Sequence, residues 1–179
     1  EWLAHPHGRA LAGLPLLAVE RIGPGEVEVP ESTGDRPLAG VRVLDLTRVI
    51  AGPVAGRFLS AHGADVLKVD GAHLPQIDLL VVETGPGKRS CLLDLRRPEE
   101  RDRLVALVRE ADVVIDGYRP GSLDALGLGP EALVAVRPGL VVVDLSAYGP
   151  IGPWAGRRGF DSLVQMATGI TATGQRVFG

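Results

Sequence analysis

Aromatic residues make up only 4% of this 179-residue chain, and there is a single cysteine, Cys91. With so few rings, a core has to be assembled from Val, Leu, Ile and Ala. One cysteine excludes an internal disulfide framework and a cysteine-rich metal site, and a reducing, cytoplasmic setting is the simplest expectation. The four histidines, His5, His7, His62 and His73, lack metal-ligand spacing, so no metal is expected; His5 and His7 flank a proline near the start and are expected at the surface. An excess of positive charge is also missing. Nineteen Lys and Arg stand against 22 Asp and Glu, for a net charge of −3, and no basic cluster offers a face for nucleic acid. No apolar run approaches the roughly 18 residues that crossing a bilayer requires, so no membrane span is expected. What remains is 45% hydrophobic and 23% charged, the balance of a core-forming globular protein rather than a disordered one.

Residues 1–37 read as an arm or linker. Pro6, Pro15, Pro24, Pro30 and Pro37 punctuate them, with glycines at 8, 13, 23, 25 and 34. The apolar run Leu14–Val19 is expected as one strand at most, and Gly34-Asp35-Arg36-Pro37 as a hinge into a folded unit spanning 38–179. From Leu38 the pattern becomes regular. Strands are expected at Val41–Leu46, Asp65–Val69, Asp78–Val82, Ser90–Leu93, Asp112–Ile115 and Leu140–Leu145, the last strongly buried. Helices are expected at Val54–Ala61, with Pro53 in the first turn, and at Pro98–Glu110, Gly121–Leu126, Pro130–Val136 and Phe160–Thr168. Near-continuous apolar strands alternating with helices predict an α/β fold: a Rossmann-like, doubly wound, mostly parallel sheet with helices on both faces.

In such a sheet ligands sit beyond the carboxyl ends of the strands. That directs attention to 47–53, 71–74, 116–121 and 146–159. The first loop, Thr-Arg-Val-Ile-Ala-Gly-Pro, is neither of the glycine fingerprints for dinucleotides or nucleoside triphosphates. Its Gly52-Pro53 serves either a close approach to a ligand or only a tight strand-to-helix turn. Lys88 and Arg89, after Gly85-Pro86-Gly87, either meet a phosphate or lie solvated beside a turn. Asp116 sits at a strand's carboxyl end, where it can face a ligand or close an Asp-Gly turn. Asp161, in Gly159-Phe160-Asp161, is either a helix cap or a pocket carboxylate able to act as nucleophile or base.

The order of segments from Pro37 onward resembles the class III CoA-transferases, a family that includes formyl-CoA transferase, carnitine CoA-transferase and α-methylacyl-CoA racemase. The stretches that carry the resemblance are PLAGVRVLDLTRVIAGPVAGRFLSAHGADVLKVD (37–70), KRSCLLDLRRPEERDRLVALVREADVVIDGYRPGSLDALGLGPEAL (88–133), RPGLVVVDLSAYGPIGPW (137–154) and GFDSLVQMATG (159–169). The resemblance implies coenzyme A as substrate and acyl carrier, and CoA transfer between an acyl-CoA thioester and a carboxylic acid through an enzyme carboxylate. It also implies a homodimer of interlocked chains. By motif, the family's CoA contacts fall on Arg48, Val49, Ile50, Ala51, Leu93, Leu95, Arg96, Gly117, Tyr118, Ala125, Arg158 and Phe160.

Three departures from the family pattern stand out. The transferase branch carries its nucleophile in a Gly-Asp motif some tens of residues past Gly169, a position beyond Gly179. Asp161 instead matches the carboxylate of the racemase branch, whose partner histidine has no counterpart after His73; proton transfer α to a thioester is therefore the alternative chemistry, and a non-catalytic CoA-binding or dimerisation module the alternative outside catalysis. A nicotinamide-dependent dehydrogenase has only the fold in its favour. The stretch between Asp70 and Lys88 is short and holds Gly71 and Ala72 where the family has a basic residue. Residues 1–23 resemble a later portion of family members, and with no initiating methionine the chain is expected to be a piece of a longer polypeptide.

Overall fold

The computed structural model describes residues 2–28, 30–31 and 34–178. They form two compact units, one drawn from 1–20, 119–121 and 146–179, the other from 21–118 and 122–145.

The larger unit is a five-stranded sheet. Its strands are β1 (Arg42–Asp45), β2 (Asp65–Asp70), β3 (Lys88–Leu92), β4 (Val113–Asp116) and β5 (Val141–Asp144), in the order β3-β2-β1-β4-β5 with every pair parallel. Alternation along β1 sends Val43 to one face and Leu44 and Leu46 to the other. Val43 joins Val66, Ile115 and Ala64 in one apolar cluster. Leu44 and Leu46 join Val69, Val114 and Leu140 in a larger one, completed by Leu104 and Val108 of α4 (Pro98–Val108) and by Leu133 and Val134 of α5 (Pro130–Val136). The α/β class with helices on both faces is thus observed, and the sheet is wholly parallel.

α2 (Ala51–Ala61) covers the Val43 face in an unusual way, burying its small residues Gly52, Pro53, Gly56 and Ser60 while Val54 and Phe58 point outward. Gly56 has to be glycine: a Cβ there would lie 2.7 Å from Asp45 Oδ2 and 2.9 Å from Lys88 Nζ.

Four expectations fail. Asp78–Val82 is not a strand but the start of α3 (Asp78–Thr84), with Leu79 and Val82 exposed; a short apolar run has no period to separate strand from helix, and β2 already has β1 and β3 as neighbours. The last strand, Leu140–Leu145, is only half-buried, because β5 stands at the sheet edge with Val143 and Asp144 exposed. Leu14–Val19 forms no strand and is exposed throughout. The expected helix at Gly121–Leu126 shrinks to a single 3-10 turn, Asp124–Leu126, ended by Gly127 in the left-handed region at φ 72°.

The smaller unit holds α1 (Pro6–Leu11), α6 (Asp161–Thr168) and α7 (Ile170–Phe178). α1 and α7 were not expected from the sequence pattern. His7 corrects another expectation: it is completely buried, among Trp2, Tyr148 and Trp154.

Candidate functional site

Strand order reverses between β1 and β4, so the connections leaving these neighbours diverge from the carboxyl ends of the two strands, the position where sheets of this kind hold ligands. Residues 46–50 form one wall and Gly117-Tyr118 the other. The walls touch, since a Cβ on Gly117 would lie 3.2–3.3 Å from Thr47. Six expected contact residues, Arg48, Val49, Ile50, Ala51, Gly117 and Tyr118, therefore meet at one place. Ala51 opens α2, so its N–H and that of Gly52 lack intrahelical acceptors and can receive an anionic or carbonyl oxygen.

The first wall is held from beneath by buried charge. Asp45, the last residue of β1, is 0% exposed at its side chain, and Lys88 of β3 is 3% exposed. Lys88 Nζ donates to Asp45 Oδ2 at 2.8 Å and to the Pro53 carbonyl at 2.7 Å. Asp45 Oδ1 accepts from the Thr47 N–H at 3.0 Å and from the Thr47 hydroxyl. One ion pair thus ties the end of β1, both ends of the loop and the start of β3 together. This corrects the reading of Lys88 as a phosphate contact or a solvated charge: it is consumed inside the fold. Neighbouring Arg89 pairs with Asp65 at the surface, at 2.6 Å.

Inside the clamped loop Val49 adopts φ +72°, alone among the described non-glycine residues. A β-branched side chain in the left-handed region costs on the order of 1–3 kcal/mol and persists only where the surroundings impose it. The Asp45–Lys88 clamp fixes the chain on both sides of it, at Thr47 and at Pro53. Arg48 donates to the Pro75 carbonyl, which directs its guanidinium along the mouth of β2.

At the mouths of β2 and β3, Leu93 and Leu95 are buried in the main core. Their side chains are committed to packing, the Leu93 N–H donates to the Asp70 carbonyl and the Leu95 carbonyl accepts from Arg101, while Arg96 is exposed. Asp94 is gripped by Arg96 through two hydrogen bonds, 2.8 and 2.6 Å long, and lies 3.5 Å from His73 Nδ1. The Arg96 guanidinium holds the Asp94 carboxyl well below the usual carboxylate range. Ala125 is exposed in the 3-10 turn.

In the smaller unit, Arg158 and Phe160 are exposed before α6. Phe160 occupies the cap position and Asp161 the first helical one, where Asp161 Oδ2 accepts from Gln165 Nε2 at 2.6 Å. Asp161 therefore does not cap the helix; its carboxylate is exposed and bonded within the first turn.

Asp116 closes the turn after β4 by accepting the Tyr118 N–H at 2.7 Å. Burial raises it to about 6, against the opposing pull of that hydrogen bond, and Asp144, its register partner on β5, adds like charge. Burial, then Asp116, pushes the Tyr118 hydroxyl up as well. An unfolded aspartate titrates near 3.9, so between about pH 4 and 6 the folded state keeps a proton that the unfolded chain has lost, and stability falls as pH rises through that window. Asp116→Asn keeps the acceptor and removes the charge. With discount for partial exposure, it is expected to gain about 1–2 kcal/mol at about pH 7.5, a rise of roughly 3–6 °C in Tm. At about pH 4 the gain should vanish; thermal melts at the two pH values would show an equal shift if the account were wrong.

A recess of about 370 Å³ opens at the opposite, amino-terminal edge of the sheet, lined by Arg42, Asp65, Arg89 and Glu110 among others. Its charges are paired, Arg42 with Glu110 and Arg89 with Asp65. Among the described residues no group of His, Cys, Asp and Glu is arranged to hold a metal ion, and no helix is long and apolar enough to cross a membrane.

An all-parallel sheet in this order, with a clamped and strained loop at its switch point, defines a Rossmann-like α/β protein. The chain belongs to CoA-transferase family III, whose sequence profile matches residues 38–176. It is 37% identical over 156 residues to a "probable fatty acyl-CoA transferase", Rv3272, of Mycobacterium tuberculosis, covering 80% of this chain and 40% of that protein. The crystal structure of Rv3272 superposes with a TM-score of 0.70, at 37% identity over 76% of this chain and 41% of that one. An acyl-CoA transferase of Gibberella moniliformis is 35% identical over 100% of this chain and 33% of its own length, so that likeness includes residues 1–37. A formyl-CoA:oxalate CoA-transferase of Rhodopseudomonas palustris is 32% identical over 77% of this chain and 35% of its own. The chain thus spans well under half the length of the relatives it matches.

Proposed function

We propose that this chain supplies the coenzyme A-binding part of an enzyme that transfers CoA between an acyl-CoA thioester and a carboxylic acid. The observation that carries the reading is the clamped loop at the switch point: family-matched residues Arg48–Ala51 follow Thr47, which Asp45 and Lys88 hold from beneath, and Gly117 lies against Thr47. In this reading Arg48 and Arg96 attract the phosphates of CoA, the free N–H groups of α2 receive an oxygen of the ligand, and the small residues Ala51 and Gly117 admit the pantetheine chain. Such positioning is the protein's main contribution to a CoA exchange, in which an enzyme carboxylate displaces the CoA thiolate to form a mixed anhydride, the thiolate attacks the enzyme's side of that anhydride to release the donor acid, and the acceptor acid reverses the two steps to leave as the new thioester. Arg158, Phe160 and Asp161 belong to the same reading, the first two as further CoA contacts and Asp161 as a carboxylate near the reacting thioester. Homodimeric assembly and a cytoplasmic location complete it.

Calorimetric titration of CoA into the complete protein tests the proposal. Saturable binding is expected, weakened roughly tenfold by Arg48→Ala, the loss of a charge-assisted phosphate contact. Absence of binding to the complete wild-type protein would overturn it.

A further inference from the structure

The arm helix α1 lies outside the family-matched segment 38–176, yet its His7 is 0% exposed and makes specific bonds to a loop 140 residues away in sequence. The Trp154 backbone N–H donates to His7 Nδ1 at 3.2 Å. That nitrogen therefore carries no proton, and Nε2, 2.8 Å from the Tyr148 carbonyl, is the N–H donor. The ring thus bridges the two ends of 148–154. It lies against Trp154 with 21° between planes and meets Tyr148 edge-on. The loop is shaped to receive it: Gly152 sits at φ +91°, and a Cβ there would lie 2.6 Å from His7 Nδ1. Farther along, a Cβ on Gly159 would lie 2.6–3.2 Å from Ala147 and Tyr148, so the backbone leading into Phe160 and Asp161 rests directly on the residues His7 holds. Arg157, next to Arg158, stacks over Trp154 at 4.9 Å.

We propose that His7 is a positioning residue: its neutral imidazole fixes the 148–154 loop and, through it, sets the path of 157–161, so that the CoA contacts made by Arg158 and Phe160 depend on the arm. The expected dependence of CoA affinity rests on the functional reading above; the ordering of 157–161 by His7 does not.

The experiment uses the complete protein, with free coenzyme A as the probe. His7→Ala is expected to speed amide hydrogen exchange across 148–161 at least roughly tenfold while leaving the strands of the larger unit unchanged. By calorimetry it is expected to weaken CoA about tenfold, and the effect should disappear in a background carrying both Arg158→Ala and Phe160→Ala, because a residue that acts through others is non-additive with them. Additive losses, or a lower Tm with unchanged exchange in 157–161 and unchanged CoA affinity, would reduce His7 to a packing residue and overturn the proposal. Should the wild-type protein bind no CoA, the functional reading fails alone, and exchange across 157–161 still decides the role of His7: faster exchange in the variant supports it, equal exchange defeats it. His7→Gln keeps the donor to Tyr148 but loses the acceptor for Trp154, and is expected to fall between wild type and alanine in the exchange measurement.

Discussion

Lys88→Ala is expected to cost about 3–5 kcal/mol, a large part of the 5–15 kcal/mol that holds a typical domain together. The argument rests on what is left behind. Asp45 stays completely buried, and its Oδ2 loses its cation, while the Pro53 carbonyl loses its donor. Thr47 still bonds Oδ1 but cannot neutralise the charge. Lys88→Met, which keeps the aliphatic stem, should lose nearly as much, since packing is not the larger effect. Adding Asp45→Asn to Lys88→Met removes the orphaned charge and should restore much of the stability, because a buried pair replaced as a whole is often close to neutral. CoA binding should not return with it, as the tie from β3 to Pro53 is gone in both. The neighbouring Arg89→Ala is the control. Its pair with Asp65 is exposed on both sides, and its removal should cost under about 1 kcal/mol. Urea denaturation of the complete variants measures all four, and similar losses for Lys88→Ala and Arg89→Ala would sink the distinction.

That contrast marks where sequence legibility stops. The five strands of the sheet were readable because β-branched runs such as Val41–Leu46 and Leu140–Leu145 have few alternatives, and the crossovers between them imply parallel pairing. The mouth of the sheet followed as the place to look for a ligand. Lys88 and Arg89, however, are adjacent cations after a glycine turn. Only the register of β3 on β2 decides that one reaches under α2 to Asp45 while the other faces solvent. Asp45 left a trace that could have been used: it is the acid inside an apolar strand, at a position whose alternation points inward. Val49 left none, because nothing local announces a β-branched residue at φ +72°. Asp78–Val82 misled because five apolar or capping residues fit either a buried strand or a short helix, and nothing in so short a run separates the two. His7 in a proline- and glycine-punctuated arm looked exposed; its burial depends on Tyr148 and Trp154, contacts that no periodicity within the arm encodes.

Gly52→Ala should weaken CoA binding at least about 30-fold while leaving the sheet folded. Two effects oppose each other at this position. Gly52 lies in the first turn of α2, where alanine is the better helix former by roughly 0.5–1 kcal/mol. Against this, a Cβ at Gly52 would lie 2.2–2.3 Å from Cβ, Cγ2 and Oγ1 of Thr47. Those are not the yielding tips of a long side chain, since the hydroxyl of Thr47 and its N–H are both held by Asp45, itself held by Lys88. Forced overlap of this kind in a packed site costs about 1–3 kcal/mol, so the clash wins and the chain between Thr47 and Gly52 has to move. The movement falls on Arg48–Ala51, the residues assigned to the ligand, and displacement by about 1 Å is enough to spoil a positioned contact. The expected result is a modest loss in Tm with a loss of CoA affinity of at least about 30-fold, equivalent to roughly 2 kcal/mol. Gly56→Ala provides the comparison: its Cβ would meet Asp45 and Lys88 themselves at 2.7 and 2.9 Å, so it should damage stability first and binding as a consequence. A Gly52→Ala protein that bound CoA like wild type would show that the loop at the switch point is only a turn, and that the ligand is held elsewhere.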